Sequence, residues 1–229
     1  MVIKYYVYVS HTKVDMLYAQ IPRTFLSGLS AELKVNLGLV SSTLKQGPEP
    51  ETTYARLKAV VKYLEETETI GTIDEPAAYF KGALPMKWGP YETLTGRMDK
   101  PSPLVYFGGE TEATILGLGG SLQNVVGAPG NAPAHSHSAT PALLACLYEG
   151  LELPIPESDA EYLRLTRGRN DPKMIAMAVD LATTQMQGVL EEVEFFARRL
   201  AYFPKGTHSA WRTQMNILLG TPLYVALGS

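Results

Sequence analysis

The chain has 229 residues, of which 45% are hydrophobic and 19% charged, and its formal net charge is −3. This composition is typical of a globular protein that buries a core, and it argues against intrinsic disorder. The slightly acidic balance argues against a protein that coats duplex DNA and against a polybasic membrane binder. It leaves open a local basic pocket for a small anionic ligand.

The single cysteine, Cys146, excludes an intramolecular disulfide and a cysteine-based zinc cage within one chain. Its apolar neighbours favour a packing role for the thiol. The N-terminal residues lack the pattern of a signal peptide, and no apolar run has the length of a membrane span. We therefore expect a cytoplasmic protein in a reducing compartment, without a membrane or duplex-DNA partner.

The N-terminal part predicts one strong strand followed by helices. Tyrosine and valine favour the strand, a proline suits the first helical position, and leucines recur at helical spacing. The predicted elements are a strand at Val2–Ser10, a polar turn at Ser10–Asp15, a helix after Pro22, a strand at Val35–Ser41, a loop at Gln46–Glu51 and a helix at Thr52–Thr67.

The middle of the chain predicts strands and the remainder predicts helices with a last strand. The short polar connection Gly109–Ala113 indicates a hairpin between two of these strands. The predicted strands are Ile70–Ile73, Tyr79–Met86, Leu104–Gly108, Thr114–Gly119 and Ile217–Leu227, the last interrupted at Gly220-Thr221-Pro222. The predicted helices are Pro141–Leu151 and Lys173–Tyr202, with loops at Ala128–Thr140 and Phe203–Arg212.

This order of elements is not a regular alternation of strands and helices, which favours α+β over a doubly wound α/β fold. We predict a mixed, largely antiparallel sheet packed with several helices. No internal repeat is apparent, and no linker is long enough to separate two stable domains. The prediction is therefore a single α+β domain over residues 1–229.

A glycine-rich stretch between Gly117 and Asn124 offers the first candidate site. It is not a dinucleotide-binding loop, because leucine occupies the place of the third glycine, and it lacks the Lys-Ser/Thr pair of a P-loop. One interpretation is that the glycines allow a bulge or close chain packing. The other is that backbone N–H groups here line a ligand pocket together with Ser121, Gln123 and Asn124.

The polar turn after the first strand is the second candidate site. Ser10, His11, Lys13 and Asp15 follow a rigid strand directly, a position that often carries function. These groups could hold and cleave a phosphodiester without a metal. Lysine or histidine would offset charge or move a proton, and a hydroxyl would orient the phosphate. The alternative is a solvated turn that caps the next segment.

Three arginines and two histidines complete the candidates. Arg56 lies among apolar helix neighbours, either at the surface or as the partner of an anion, where its guanidinium group would suit a phosphate. Arg198 and Arg199 lie near the end of a predicted helix, where cations are favoured structurally. The pair at His135 and His137 has no acidic neighbour in sequence. It favours a polar loop over general acid–base work or a metal site.

The sequence resembles an uncharacterised family of stand-alone, mainly actinobacterial single-domain proteins, over nearly the whole chain. The matching segments are Tyr5–Ser10 with Lys13–Met16, Leu104–Gly120 with Val126-Gly127, Phe196–Leu200, and Gly220–Leu227. That family implies no activity. The chain is also similar to CRISPR ring nucleases in its size and in needing no metal, which implies a role in bacterial defence.

We therefore predict a metal-independent phosphodiesterase, a ring nuclease that degrades a cyclic oligonucleotide messenger such as cyclic oligoadenylate. The RNA-like substrate would supply its own 2′-OH, and no cofactor or metal is expected. Ser10, His11, Lys13 and Arg56 form the predicted catalytic set. The predicted ligand contacts are Tyr6, Tyr8, Asp15, Ser121, Gln123, Asn124 and Arg199.

Two other classes of function remain open. One is a non-catalytic module of a defence system that binds a nucleotide or a protein. The other is a protein whose matched segments all form core and whose surface is a protein interface. A symmetric ligand would favour a homodimer, because most homo-oligomers are twofold.

Overall fold

The computed structural model describes residues 4–36, 52–90, 104–128, 172–207 and 214–228. These residues form four α-helices and a seven-stranded, mostly antiparallel sheet, which confirms the predicted α+β class. The helices are α1 (His11–Tyr18), α2 (Arg23–Asn36), α3 (Thr53–Thr67) and α4 (Pro172–Gln185). The strands are β1 (Tyr5–Val9), β2 (Ile70–Gly71), β3 (Tyr79–Pro90), β4 (Leu104–Glu110), β5 (Thr114–Ser121), β6 (Glu191–Phe203) and β7 (Asn216–Leu227).

The chain divides into two compact units. The sheet unit comprises Met1–Val9 and Gly71–Ser229, and the helical unit comprises Ser10–Ile70. The helical unit holds α1, α2 and α3, and the sheet unit holds α4 and nearly all of the strands. The single-domain boundary of 1–229 stays a prediction.

Five strands of the sheet unit pair into a closed sheet. β3, β4 and β5 form an antiparallel meander, and β5 pairs in parallel with β7. β7 pairs with β6, and β6 returns to β3, both antiparallel. The closed sheet therefore runs in the order β3-β4-β5-β7-β6 and back to β3, with one parallel pair between β5 and β7.

Both faces of the central strands are buried, because alternate residues serve two cores. On β4, Val105 and Phe107 belong to the core inside the closed sheet. Leu104 and Tyr106 belong to a second core, which α4 covers. This arrangement explains why β4, β5 and β7 read as continuous apolar runs rather than alternating ones.

The last strand is continuous from Asn216 to Leu227, so the predicted interruption is wrong. Pro222 lacks an N–H donor, but it lies where the register of β7 against β6 shifts. On its other edge β7 pairs with β5 as far as Gly220 and with β1 from Tyr224 onward. Pro222 thus lies between two partner strands, where a ladder hydrogen bond is not required.

The predicted helix Lys173–Tyr202 is wrong in its second half. The helix α4 ends at Gln185, and β6 begins at Glu191. Between them Gly188 has a φ of +125°, a conformation that glycine adopts at little cost.

The predicted turn Ser10–Asp15 is also wrong, because these residues begin α1. The backbone N–H of Val14 donates to the carbonyl of Ser10 at 3.0 Å, which closes the first helical turn. The predicted helix at Thr52–Thr67 is confirmed as α3, and the Thr52 hydroxyl caps it by accepting from the Ala55 N–H at 3.2 Å.

Several other predictions fall partly or wholly outside the described residues. The predicted strand Val35–Ser41 is wrong at its start, because its first two residues end α2. Its remainder lies outside the described residues, as do the loop Gln46–Glu51, the helix Pro141–Leu151, most of the loop Ala128–Thr140 and both candidate histidines, His135 and His137.

Candidate functional site

The helical unit brings together polar side chains from two helices. His11 and Asp15 lie four residues apart on α1, and Thr53 and Arg56 lie three apart on α3, so each pair shares one helix face. His11 Nδ1 lies 3.1 Å from Thr53 Oγ1, and Arg56 Nη1 donates to Asp15 Oδ1 at 2.9 Å. We call these four residues, with Tyr18, the α1–α3 cluster.

The order of these contacts shows that α1 and α3 run side by side in the same direction. The earlier residue of one helix contacts the earlier residue of the other, and the later contacts the later. His11 and Thr53 are the first residues of their helices. The N-terminal ends of α1 and α3 therefore meet at the His11–Thr53 contact.

Two helix N-termini that meet in this way create a positive local potential. Neither α1 nor α3 has an acidic residue in its first turn to offset that potential. Instead the first turn of α1 carries Lys13, although a cation there is disfavoured by the helix dipole. An anion bound at these ends would relieve both effects.

Arg56 is held in a defined position within the cluster. Its guanidinium group pairs with Asp15 and lies 5.6 Å from the centroid of the Tyr18 ring. The side chains of Arg56 and Asp15 are 32% and 50% exposed, so the ion pair adds only about 0–1 kcal/mol to stability. Its main effect is to orient the guanidinium group.

The other two predicted catalytic residues occupy different positions on α1. Lys13 lies two residues from His11, a spacing at which helical side chains do not share a face. Ser10 is buried at the N-terminus of α1, and its hydroxyl makes no capping hydrogen bond. The structure thus brings together His11, Asp15 and Arg56 from the predicted set, with Lys13 nearby in the first turn.

Sequence reasoning missed two members of the cluster, Thr53 and Tyr18. Thr53 is the first residue of α3. Its spacing of three residues from Arg56 on a confidently predicted helix is the signal that could have placed both on one face. Nothing in the sequence pairs α1 with α3, so the contacts of His11 and Asp15 could not be predicted.

The two predicted tyrosines lie in the sheet unit and differ in burial. Tyr6 is half-buried, with its ring edge-on to Tyr224 at 5.6 Å between centroids. Tyr8 is fully buried, packs edge-on against Phe107, and accepts a hydrogen bond from Asn124 Nδ2 at 3.4 Å. Tyr8 therefore has no exposed face to offer a base in this structure.

The glycine-rich stretch is closely packed. A Cβ at Gly120 would overlap the phenol of Tyr8, and a Cβ at Gly117 would overlap the phenol of Tyr106. This geometry supports the interpretation in which the glycines allow close packing. Ser121 is buried, and its hydroxyl has no hydrogen-bond partner among the residues that the structure describes. Of the other predicted contacts in this stretch, Asn124 is buried and Gln123 is exposed.

Arg199 lies on β6 and not on a helix. Its Nη1 donates to the Pro76 carbonyl at 2.7 Å, and its backbone N–H donates to the Ala78 carbonyl at 2.9 Å. Both bonds hold the segment that precedes β3 against β6. Arg199 thus has a structural task in the sheet unit.

The described residues contain no group of three or more histidine, cysteine or acidic side chains that could hold a metal ion. Within the same ranges, no helix is long and apolar enough to cross a membrane.

These features define an α+β protein with a closed, mostly antiparallel sheet and a helical unit that carries a polar helix-end cluster. The chain belongs to DUF7019, a family of unknown function whose model matches residues 4–229. The predicted membership of an uncharacterised family is thereby confirmed. Comparisons with curated proteins and with solved structures return no match.

Proposed function

We propose that the chain is a metal-independent phosphodiesterase that opens a small cyclic oligonucleotide, such as a cyclic oligoadenylate. The observation that carries the proposal is the meeting of two helix N-termini at His11 and Thr53, without an acidic residue in either first turn. Helix N-termini favour phosphate groups through their N–H donors and their dipole.

The α1–α3 cluster supplies the groups that cleavage of an RNA-like diester needs. His11 uses Nδ1 for its contact with Thr53, which leaves Nε2 on the other side of the ring for proton transfer. Arg56 and Lys13 carry positive charge, which offsets the charge that develops on the phosphate.

The reaction is an internal displacement. Nε2 of His11 takes the proton of the ribose 2′-OH, and the 2′-oxygen bonds to phosphorus. The bond between phosphorus and the 5′-oxygen breaks, and the 5′-oxygen takes a proton from Lys13 or from water. The product is one linear oligonucleotide with a 5′-hydroxyl at one end and a 2′,3′-cyclic phosphate at the other, and the enzyme contributes positioning, charge and proton transfer.

The same proposal includes a contact with a base, a homodimer and a cellular role. A half-buried Tyr6 could stack on a base, and a symmetric cyclic ligand would suit a twofold homodimer. A cytoplasmic role in bacterial defence, of the kind that CRISPR ring nucleases have, would place the protein with its substrate. The mass of the protein in solution, measured by light scattering with and without ligand, tests the dimer.

The test of activity is incubation with cyclic oligoadenylates in EDTA, followed by separation of the products by HPLC. Wild-type protein is expected to release linear products, and His11→Ala is expected to lose at least about a hundredfold in rate, as for the loss of a general base. Lys205→Ala, which removes an exposed lysine of the sheet unit, is the matched control and should retain full rate. A folded His11→Ala variant with wild-type rate would exclude the mechanism.

A second candidate is a nucleotide-binding module without turnover. The Asp15–Arg56 ion pair favours it, because a guanidinium group already paired with a carboxylate stabilises less of the charge that develops during the reaction. This function predicts a thermal shift with cyclic oligoadenylate and no product. Asp15→Asn should then tighten binding, since it removes a negative charge beside the ligand.

A further inference from the structure

The sheet unit contains a cleft of about 440 Å³ that none of the predicted site residues lines. It lies between β3, β4, the C-terminal end of α4 and the segment that leads into β6. Its volume falls in the range of small-molecule sites. The residues that decide its chemistry are Pro85, Lys87, Gly108, Glu110, Thr183 and Leu190.

One wall of the cleft is closely packed. A Cβ at Gly108 would overlap the sulfur of Met186 and would lie 3.3 Å from the Thr183 Cα, so only glycine lets β4 approach α4 this closely. The Thr183 hydroxyl lies 3.2 Å from the hydroxyl of the buried Tyr106. Burial raises the pKa of Tyr106 far above its ordinary value, so this contact is between neutral groups.

The cleft presents one cation and one anion. Lys87 Nζ donates to the Met186 carbonyl at 2.8 Å, just after α4 ends. An ammonium group has three N–H donors, so Lys87 can donate to a ligand while keeping this bond. Glu110 contributes a carboxylate, which only accepts hydrogen bonds. The opposite charges balance, so the cleft favours a neutral ligand that has both acceptors and donors.

Two of the residues that line the cleft are apolar and exposed. Leu190 is 59% exposed, and Pro85 is also exposed. A flat ligand that covers these side chains would remove apolar surface from water and gain affinity.

We propose that this cleft binds a nucleobase, and that nucleosides are its ligands. A base combines flat apolar faces, suited to Pro85 and Leu190, with an edge of acceptors and donors, suited to Lys87 and Glu110. The proposal goes beyond the phosphodiesterase, because it uses neither the α1–α3 cluster nor a phosphate group.

The experiment is titration of the full chain with adenosine, guanosine, cytidine and uridine, each at millimolar concentration, by calorimetry and saturation-transfer NMR. At least one nucleoside is expected to bind through its base protons, and ribose alone is not. Leu190→Ser is expected to weaken binding at least about threefold, from the lost apolar contact. Val189→Ser is the matched control, since Val189 is 79% exposed and does not line the cleft.

A second variant protects the test from an effect on folding. Lys87→Met keeps the aliphatic stem and loses the N–H donors, so it should weaken the same nucleoside while leaving the circular dichroism spectrum unchanged. Binding equal to wild type in both Leu190→Ser and Lys87→Met would overturn the proposal, as would the absence of nucleoside binding to wild-type protein. Because nucleosides carry no phosphodiester, His11→Ala should still bind them. Nucleoside binding therefore tests the cleft alone, and cleavage of the cyclic oligonucleotide tests the phosphodiesterase.

Discussion

Thr12 lies exposed in the first turn of α1, and its change to glutamate would separate stability from function. A carboxylate there complements the helix dipole and offsets the charge of the neighbouring Lys13. The expected gain in stability is about 0.3–1 kcal/mol, or roughly 1–4 °C in Tm for a protein of this size. The same carboxylate should repel a phosphate held at the ends of α1 and α3.

The cost to binding follows from Coulomb's law. Two unit charges about 4 Å apart in water interact with roughly 1 kcal/mol. Affinity for a cyclic oligonucleotide should therefore fall about fivefold, and more where water is excluded. The measurements are thermal unfolding by circular dichroism and ligand titration by calorimetry. Thr12→Gln is the matched control, because the glutamine side chain has the length of glutamate and carries no charge.

We expect Thr12→Glu to be more stable than Thr12→Gln. We also expect it to bind the cyclic oligonucleotide more weakly and to cleave it more slowly. Equal affinity in the two variants would show that the ends of α1 and α3 do not hold the phosphate. A variant that is less stable than Thr12→Gln would show that the first turn of α1 is not short of negative charge.

Two further predictions concern stability. Gly120→Ala places a methyl group against the phenol of Tyr8 and should lower the free energy of unfolding, measured in urea, by about 1–3 kcal/mol. Gly28 lies in a helix with no atom within 4 Å of the added Cβ, so Gly28→Ala should raise the free energy of unfolding by about 0.5–1 kcal/mol. Equal effects of the two substitutions would refute the packing argument. Burial alone would lower the pKa of Lys4, but its hydrogen bond and 2.6 Å ion pair with Glu194 outweigh this and raise it. The stability from this pair is present below pH about 10.4, the unfolded value, and is lost as pH rises beyond it. Lys4→Met should remove that alkaline loss in urea titrations, and an unchanged profile would contradict the assignment.

Local sequence patterns were sufficient to predict two elements of the structure. The helix α3 follows from a single apolar stripe and the Thr52 cap, and the β4–β5 hairpin follows from two apolar runs around a short polar connection. In both cases the partners that stabilise the element lie close in sequence. Local physics therefore determines the structure with little help from the remainder of the fold.

Local patterns did not predict β6 correctly, because its apolar residues fit both the spacing of a helix and the alternation of a strand. Val193, Phe196 and Leu200 recur at helical spacing, whereas Val193, Phe195 and Ala197 alternate as in a strand. The alternating set lies in the core inside the closed sheet. Only pairing with β3 on one edge and β7 on the other selects the strand.

The second candidate site, the polar turn after the first strand, shows the same division. The sequence supplied the right kinds of groups in His11, Asp15 and Arg56, but it placed the first two on a turn. On a helix they share one face, and only the packing of α1 beside α3 brings that face to Thr53 and Arg56. The cleft of the sheet unit was missed altogether, because its lining comes from strands and a helix far apart in the chain.

What the sequence determined by itself is the α+β class, the strand β1, the hairpin, the capped helix α3 and the inventory of polar groups in α1. Tertiary structure alone decided the closing of the sheet, the strand state of β6, and which polar groups face one another. The physical reason is the distance along the chain over which each interaction acts. Helix caps, turns and the spacing of apolar residues act within a few residues. Strand pairing and helix packing depend on partners separated by tens to hundreds of residues.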